Sequence, residues 1–263
     1  MSDDDDLTLF ARDGVELPAE GAERTVESDG ASIWVASFGE GPAVILLHGG
    51  MGHSGNFGKQ VAAIVAAGHR VVVVDSRGHG RSTRDGRPFS YELLASDLEA
   101  VMDALGIERA SIVGWSDGAD TGLVLALRAP AKVERLYFFA CNVDPSGTKE
   151  LEITPEIERC FSRHTADYAR LSPVGQFDQL ADDLGVMQGT QPDLSQQQLA
   201  AVKVPVTVVL GESDEFIKRS HAEYLARSIP GAHFELMPGV SHFAPIQRPA
   251  VFTDSVLRFL ATE

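Results

Sequence analysis

Five short apolar runs constrain this chain more than anything else in it. They lie in "AVILLHGG" from residue 43, "HRVVVVDSRG" from 69, "ASIVGW" from 110, "VERLYFFAC" from 133 and "VPVTVVLGE" from 204. Each is continuous rather than alternating, as expected of a strand buried on both faces. Helical periodicity fills the spaces between them. "NFGKQVAAIVAAG" closes at Gly68, and "YELLASDLEAVMDALG" is capped by Ser90 and closed by Gly106. "DGADTGLVLALRA" stops at Pro130, and "KRSHAEYLARSI" and "PAVFTDSVLRFLA" follow the later strands. "ASIWVASFG" and "HFELM" read as further strands. Such alternation predicts an α/β protein, with a mostly parallel sheet covered by helices on both faces.

One interval breaks the rhythm. From residue 142 to 203 there is no clear buried strand, only weak helical pieces such as "PEIERCFSRH" and "QFDQLADDLGV". A structureless loop of that length would be abnormal in a compact domain. The interval therefore reads as a helical cap inserted into a core made of residues 25–141 and 204–263. Its place in the chain would put it over the C-terminal edge of the sheet, where open α/β sheets bind ligands. Residues 1–24 read as an acidic N-terminal extension, and "SDDDD" within it as a solvated tail rather than a metal site.

Composition excludes several functions. The chain has 263 residues, 44% of them hydrophobic, and a formal net charge of -16. That surface repels phosphate backbones and argues against nucleic acid as a partner. No apolar run approaches the length of a membrane span. The acidic N-terminus does not resemble a basic signal peptide, so a cytoplasmic location is expected. Cys141 and Cys160 make no disulfide framework and stand in no zinc-binding spacing. They read as ordinary thiols. No metal or cofactor is implied, and the sequence fixes no oligomeric state.

The stretch "IVGWSDGAD" carries the chemistry. Ser116 stands between Gly114 and Gly118 where a strand gives way to a helix. A serine hydroxyl is a poor nucleophile until a base, a group orienting that base and donors for the oxyanion surround it. It must also be exposed, which a sharp strand-to-helix turn achieves if its neighbours are small. Partners occur downstream in the order acid, then histidine. Asp214 follows the end of a strand in "LGESDEF", with neighbouring Glu215 and the earlier Asp144 as rivals. His242, in "GVSHF", lies between the last strand and the last helix. Of the eight histidines it is the one in the right place and order; His48, within "LLHGG", reads as support for a loop. The oxyanion hole requires two backbone amides. Asp117 offers one, and "HGGMG" offers the other at Gly50, with Met51 as the alternate. Phe177, Leu184 and Met187 of the cap are candidate substrate contacts, or else the cap's own core.

These motifs resemble the α/β-hydrolase family. "HGGMG", "VVDSRGHGRST", "GWSDG", "GESDEF" and "GVSHF" stand in register over roughly residues 25 to 261. The resemblance implies a mostly parallel sheet of the eight-stranded type, a small helical cap and a serine hydrolase with the triad Ser116, His242, Asp214. "GWSDG" with a short cap is similar to the amino-acid-ester hydrolases typified by valacyclovir hydrolase, and to bacterial esterases and enol-lactone hydrolases. A small ester or lactone is then the expected substrate. The fold also hosts C–C and amide hydrolases, cofactor-free haloperoxidases and members without catalysis. The Asp117 side chain has two readings. It pairs with a cation on the substrate, or it has an internal partner, either nearby backbone N–H groups or an arginine such as Arg77 or Arg81.

Overall fold

The computed structural model describes residues 5–262. Its elements run α1 (Asp5–Asp13), β1 (Ala22–Ser28), β2 (Ala31–Phe38), β3 (Ala43–Leu47), α2 (Gly58–Ala66) and β4 (Arg70–Val74). Next come α3 (Tyr91–Ala104), β5 (Ala110–Trp115), α4 (Asp117–Arg128) and β6 (Val133–Phe139). After these lie α5 (Pro155–Leu171), α6 (Phe177–Thr190) and α7 (Gln196–Leu199). The chain closes with β7 (Val206–Gly211), α8 (Arg219–Ser228), β8 (His233–Met237), α9 (Ala244–Gln247) and α10 (Pro249–Ala261). The sheet has eight strands in the order β1-β2-β4-β3-β5-β6-β7-β8. Strands β1 and β2 are antiparallel to their neighbours, and every pairing from β4 to β8 is parallel.

Burial on both faces explains the continuous apolar runs. In β6, Tyr137 and Phe139 point toward α10, where Phe252 packs edge-on against both rings. Leu136 points the other way, against Gly122 of α4. A period of two therefore distributes one strand between two helical layers. The caps read from sequence are present. Ser90 accepts a hydrogen bond from the Leu93 amide, and Gly106 takes the left-handed conformation (φ +65°) that ends α3.

Two elements depart from expectation. Residues 1–4 of the acidic extension lie outside the described residues, but the extension continues as α1, packed on α5 and α9. Leu7 and Phe10, three residues apart on one helical face, are fully buried there. Strand β1 begins at Ala22, inside the same segment. No helix among the described residues is long and apolar enough to cross a membrane.

Candidate active site

Five loops at the C-terminal ends of β3, β5, β6, β7 and β8 meet at one cavity of about 480 Å³. Ser116 ends β5 at φ +52° and ψ −124°, a region that a residue with a Cβ occupies only when its surroundings insist. Two hydrogen bonds hold it there. Its amide donates to the Phe139 carbonyl at 2.9 Å, and its carbonyl accepts from Ala119 at 2.7 Å. The flanking glycines are sterically required. A Cβ on Gly118 would collide with the Leu47 carbonyl, and one on Gly114 with the Ala119 backbone. The turn thus brings α4 hard against β3 and leaves Ser116 facing the cavity.

His242 faces the same cavity and is otherwise enclosed by the rings of Trp115, Phe216 and Phe243. Its Nδ1 lies 3.0 Å from Asp214 Oδ2. A carboxylate accepts there, so Nδ1 carries a proton, and in the neutral ring Nε2 then holds the lone pair. The other Asp214 oxygen accepts from the Phe216 and Ile217 amides at 2.9 and 2.7 Å, which fixes the carboxylate. Glu215 instead accepts from the His242 amide at 2.9 Å and so anchors the histidine loop. Asp144 is elsewhere: it caps residues 145–147 through the Ser146 amide and lies 4.0 Å from His221.

The glycine-rich loop after β3 runs beside the serine. Gly49 is so close that an added Cβ would sit 3.0 Å from Ser116 Cβ. His48 braces this loop. Its Nε2 accepts from the Ser76 amide at 3.0 Å, so its Nδ1 donates to the Gly49 carbonyl at 2.7 Å. Burial lowers the His48 pKa to about 4, which keeps the ring neutral for that arrangement. Gly50 and Met51 both line the cavity, Met51 with a strained φ of +62°. Asp117 is the first residue of α4, so its amide has no partner within the helix.

The Asp117 side chain pairs with neither arginine. Arg77 is engaged by Asp97 at 2.6 and 2.8 Å, and Arg81 by Asp75 at 3.0 Å. Instead Tyr91 Oη donates to one Asp117 oxygen at 2.8 Å, and Gln188 Nε2 to the other at 2.9 Å. Burial raises the Asp117 pKa, and these two hydrogen bonds oppose the rise. Neither Tyr91 nor Gln188 was singled out from sequence, because each reads as an ordinary helix residue. Behind them Cys141 donates its thiol to the fully buried Asp120 at 3.0 Å. Burial pushes both of those groups well above their usual ranges.

Helices α5 and α6 cover the cavity, contributing Phe161, His164, Phe177, Ala181 and Gln188 to its lining. Of the three apolar cap residues offered as substrate contacts or cap core, Phe177 lines the cavity. Leu184 and Met187 do not: both are about 1% exposed and buried in the hydrophobic core. Their turns of α6 face inward, and the helix presents Ala181 and Gln188 to the cavity instead.

Comparison with known proteins agrees with this architecture. Residues 42–155 match the model of the alpha/beta hydrolase fold family. The chain is 30% identical to the mouse (Mus musculus) sn-1-specific diacylglycerol lipase ABHD11, over 84% of this chain and 81% of that protein. It is 28% identical to the human (Homo sapiens) serine hydrolase BPHL, over 82% of this chain and 79% of BPHL. Among solved structures, the N-acyl homoserine lactone degrading enzyme Est816 superposes with a TM-score of 0.77 at 25% identity, covering 90% of this chain and 100% of Est816. The enol-lactonase from Burkholderia xenovorans LB400 superposes with a TM-score of 0.76 at 23% identity, over 91% of this chain and 100% of that one.

Proposed function

Because this chain belongs to the α/β-hydrolase family, we propose that it is a serine hydrolase cleaving a small carboxylic ester or lactone through an acyl-enzyme. One observation carries the reading. The His242–Asp214 pair, from the ends of β8 and β7, faces the same cavity as the strained Ser116 at the end of β5. Ser116 Oγ attacks the carbonyl while His242 Nε2 accepts its proton. Asp214 holds the tautomer and stabilises the imidazolium. The Asp117 and Gly50 amides receive the oxyanion, with Met51 as the alternate to Gly50. His242 returns the proton to the leaving alkoxide, then activates water against the acyl-serine. The same groups serve amide or C–C bonds, so the preference for esters and lactones leans on the kinship with lipase and lactonase relatives.

A second reading concerns what accompanies the scissile bond. Asp117 is a buried carboxylate at the cavity wall whose hydrogen-bond donors, Tyr91 and Gln188, are both uncharged. An ammonium group on the substrate would complete that charge, as in an α-amino ester.

The test is a panel of esters, lactones, α-amino esters and their uncharged isosteres, run with the protein and with Ser116→Ala. Loss of a triad nucleophile costs on the order of a million-fold in turnover. A fluorophosphonate should label Ser116 alone. Labelling elsewhere, or an active Ser116→Ala protein, refutes the assignment. A preference for the amine that collapses in Asp117→Asn supports the second reading; equal rates on amine and isostere remove it.

A further inference from the structure

We propose that Gln188 is a positioning residue: from α6 it holds the Asp117 carboxylate against Gly50, coupling the helical roof to the oxyanion-binding loop. The inference rests on the hydrolase reading above and extends it to a residue outside the triad.

The geometry around Gly50 is the starting point. A Cβ added there would lie 2.6 Å from Asp117 Oδ2 and 2.7 Å from Gln188 Nε2. Those two atoms are themselves hydrogen-bonded at 2.9 Å. The Gly50 backbone therefore packs directly on the Asp117–Gln188 hydrogen bond. A side chain there would have to push both groups aside and part their hydrogen bond, which gives the glycine a steric reason.

The loop needs such a wall. Met51, the next residue, has a left-handed φ of +62° without being a glycine, a conformation that persists only where surroundings enforce it. The turn is closed by a long hydrogen bond, Gly52 amide to Gly49 carbonyl at 3.2 Å. His48 anchors the loop from one flank through the Gly49 carbonyl. The Asp117–Gln188 pair stands on the other. That pair bounds Gly50 on the side where a Cβ would lie, and so limits how its backbone can shift.

Electrostatics point the same way. An anion beside a developing oxyanion opposes it. Tyr91 and Gln188 each donate to one oxygen of Asp117, so the charge is drawn toward α3 and α6 and away from Ser116. Without Gln188, the oxygen adjoining Gly50 loses its donor. Tyr91 belongs to the core, whereas Gln188 belongs to the roof. A roof that lifts takes only Gln188 with it, so the loop is fully braced only when α6 is seated.

Gln188→Met tests this, because it keeps side-chain length and removes the donor at a half-buried position that does not threaten the fold. Removing one donor from an oxyanion site costs about a hundredfold or more in turnover, so an indirect brace should cost about tenfold to a hundredfold. The expected result is that loss in kcat, with KM changed by less than about threefold, since ground-state binding is not the target. Affinity for an alkyl boronic acid, which forms a tetrahedral adduct on Ser116, should fall by the same factor. The thermal midpoint should stay unchanged. Unchanged kcat and boronate affinity overturn the inference while leaving the hydrolase reading intact, provided fluorophosphonate still labels Ser116. A rise in KM at constant kcat also overturns it, making Gln188 a substrate contact. If the unsubstituted protein shows no labelling of Ser116, both readings fall together.

Discussion

Acid should unfold this protein early, because of histidines buried in and around the site. His48, His79 and His164 are buried, and burial lowers their pKa values from 6.5 to about 4, about 3 and about 3. The rings are neutral in the folded protein, while the unfolded chain takes up protons below pH 6.5. Stability is then lost as pH falls from 6.5 toward the folded values. At pH 5 each unfolded histidine is almost fully protonated and each folded one almost bare, a difference of about three protons in all. Asp120, held well above the usual carboxyl range, pulls the other way, as do the raised Asp117 and Glu215, while the lowered His221 adds to the histidines; together these oppose by about one proton. About two protons remain, or roughly 2.5 kcal/mol lost per pH unit near pH 5. Against a typical total of about 5–15 kcal/mol, two units of pH remove a large share. Urea unfolding at pH 7, 6 and 5 measures this directly. His79→Asn is the matched control, because an amide nitrogen can replace the ring Nδ1 that lies 2.9 Å from the Arg77 carbonyl. It should reduce the dependence by about one proton, or roughly 1.4 kcal/mol per pH unit. Stability that is flat from pH 7 to 5, or an unchanged slope in the variant, refutes the argument.

Other substitutions separate packing from chemistry. Gly118→Ala puts a Cβ into the Leu47 carbonyl, which as backbone cannot move aside, and should cost about 2–4 kcal/mol with loss of activity. Gly185→Ala, in α6 with open space around it, should instead stabilise by about 0.5–1 kcal/mol and leave turnover alone, both read by denaturant melts and ester assays. Leu184→Ala should destabilise by about 2–5 kcal/mol and depress all substrates alike, being core. Phe177→Ala, at the cavity wall, should shift selectivity along an acyl-length series more than it shifts the melt.

How far the sequence reveals this molecule depends on where each feature's cause lies. Strands β3 to β7 are legible because burial on both faces writes itself into five or six consecutive residues. Strand β1 is not, since it is an edge strand with five of its seven residues exposed and little apolar pattern to read. Helix α1 hides for a related reason: Leu7, Leu9 and Phe10 are a short apolar signal amid acidic residues, and charge suggests a solvated tail. Ser116, Asp214 and His242 each carry a local mark, the end of a strand, that survives without knowledge of the fold. The partners of Asp117 carry none. Tyr91 is 26 residues away and Gln188 is 71, and only the tertiary fold brings α3 and α6 to Asp117.

The arginines illustrate why charge alone misleads about Asp117. Complementarity makes Arg77 and Arg81 natural partners for a buried carboxylate, yet each is already committed to another one, Asp97 and Asp75. A buried ion pair gains only when its geometry is nearly ideal, and an arginine at Asp117 would also cancel a charge that the cavity presents. Uncharged donors do something different. They satisfy both oxygens, lessen the desolvation cost and leave the negative charge in place. A carboxylate whose ionised form a tyrosine and a glutamine favour against burial can brace the oxyanion loop and still attract a cation from the substrate. The two roles make opposite demands on substitution. Asp117→Asn preserves the brace, because the Gln188 amide can turn to present its oxygen, but it removes the charge. Gln188→Met removes the brace and keeps the charge. An α-amino ester and its uncharged isostere, measured with both variants, therefore resolve the roles: the first variant should slow the amine relative to its isostere, and the second should slow both substrates equally.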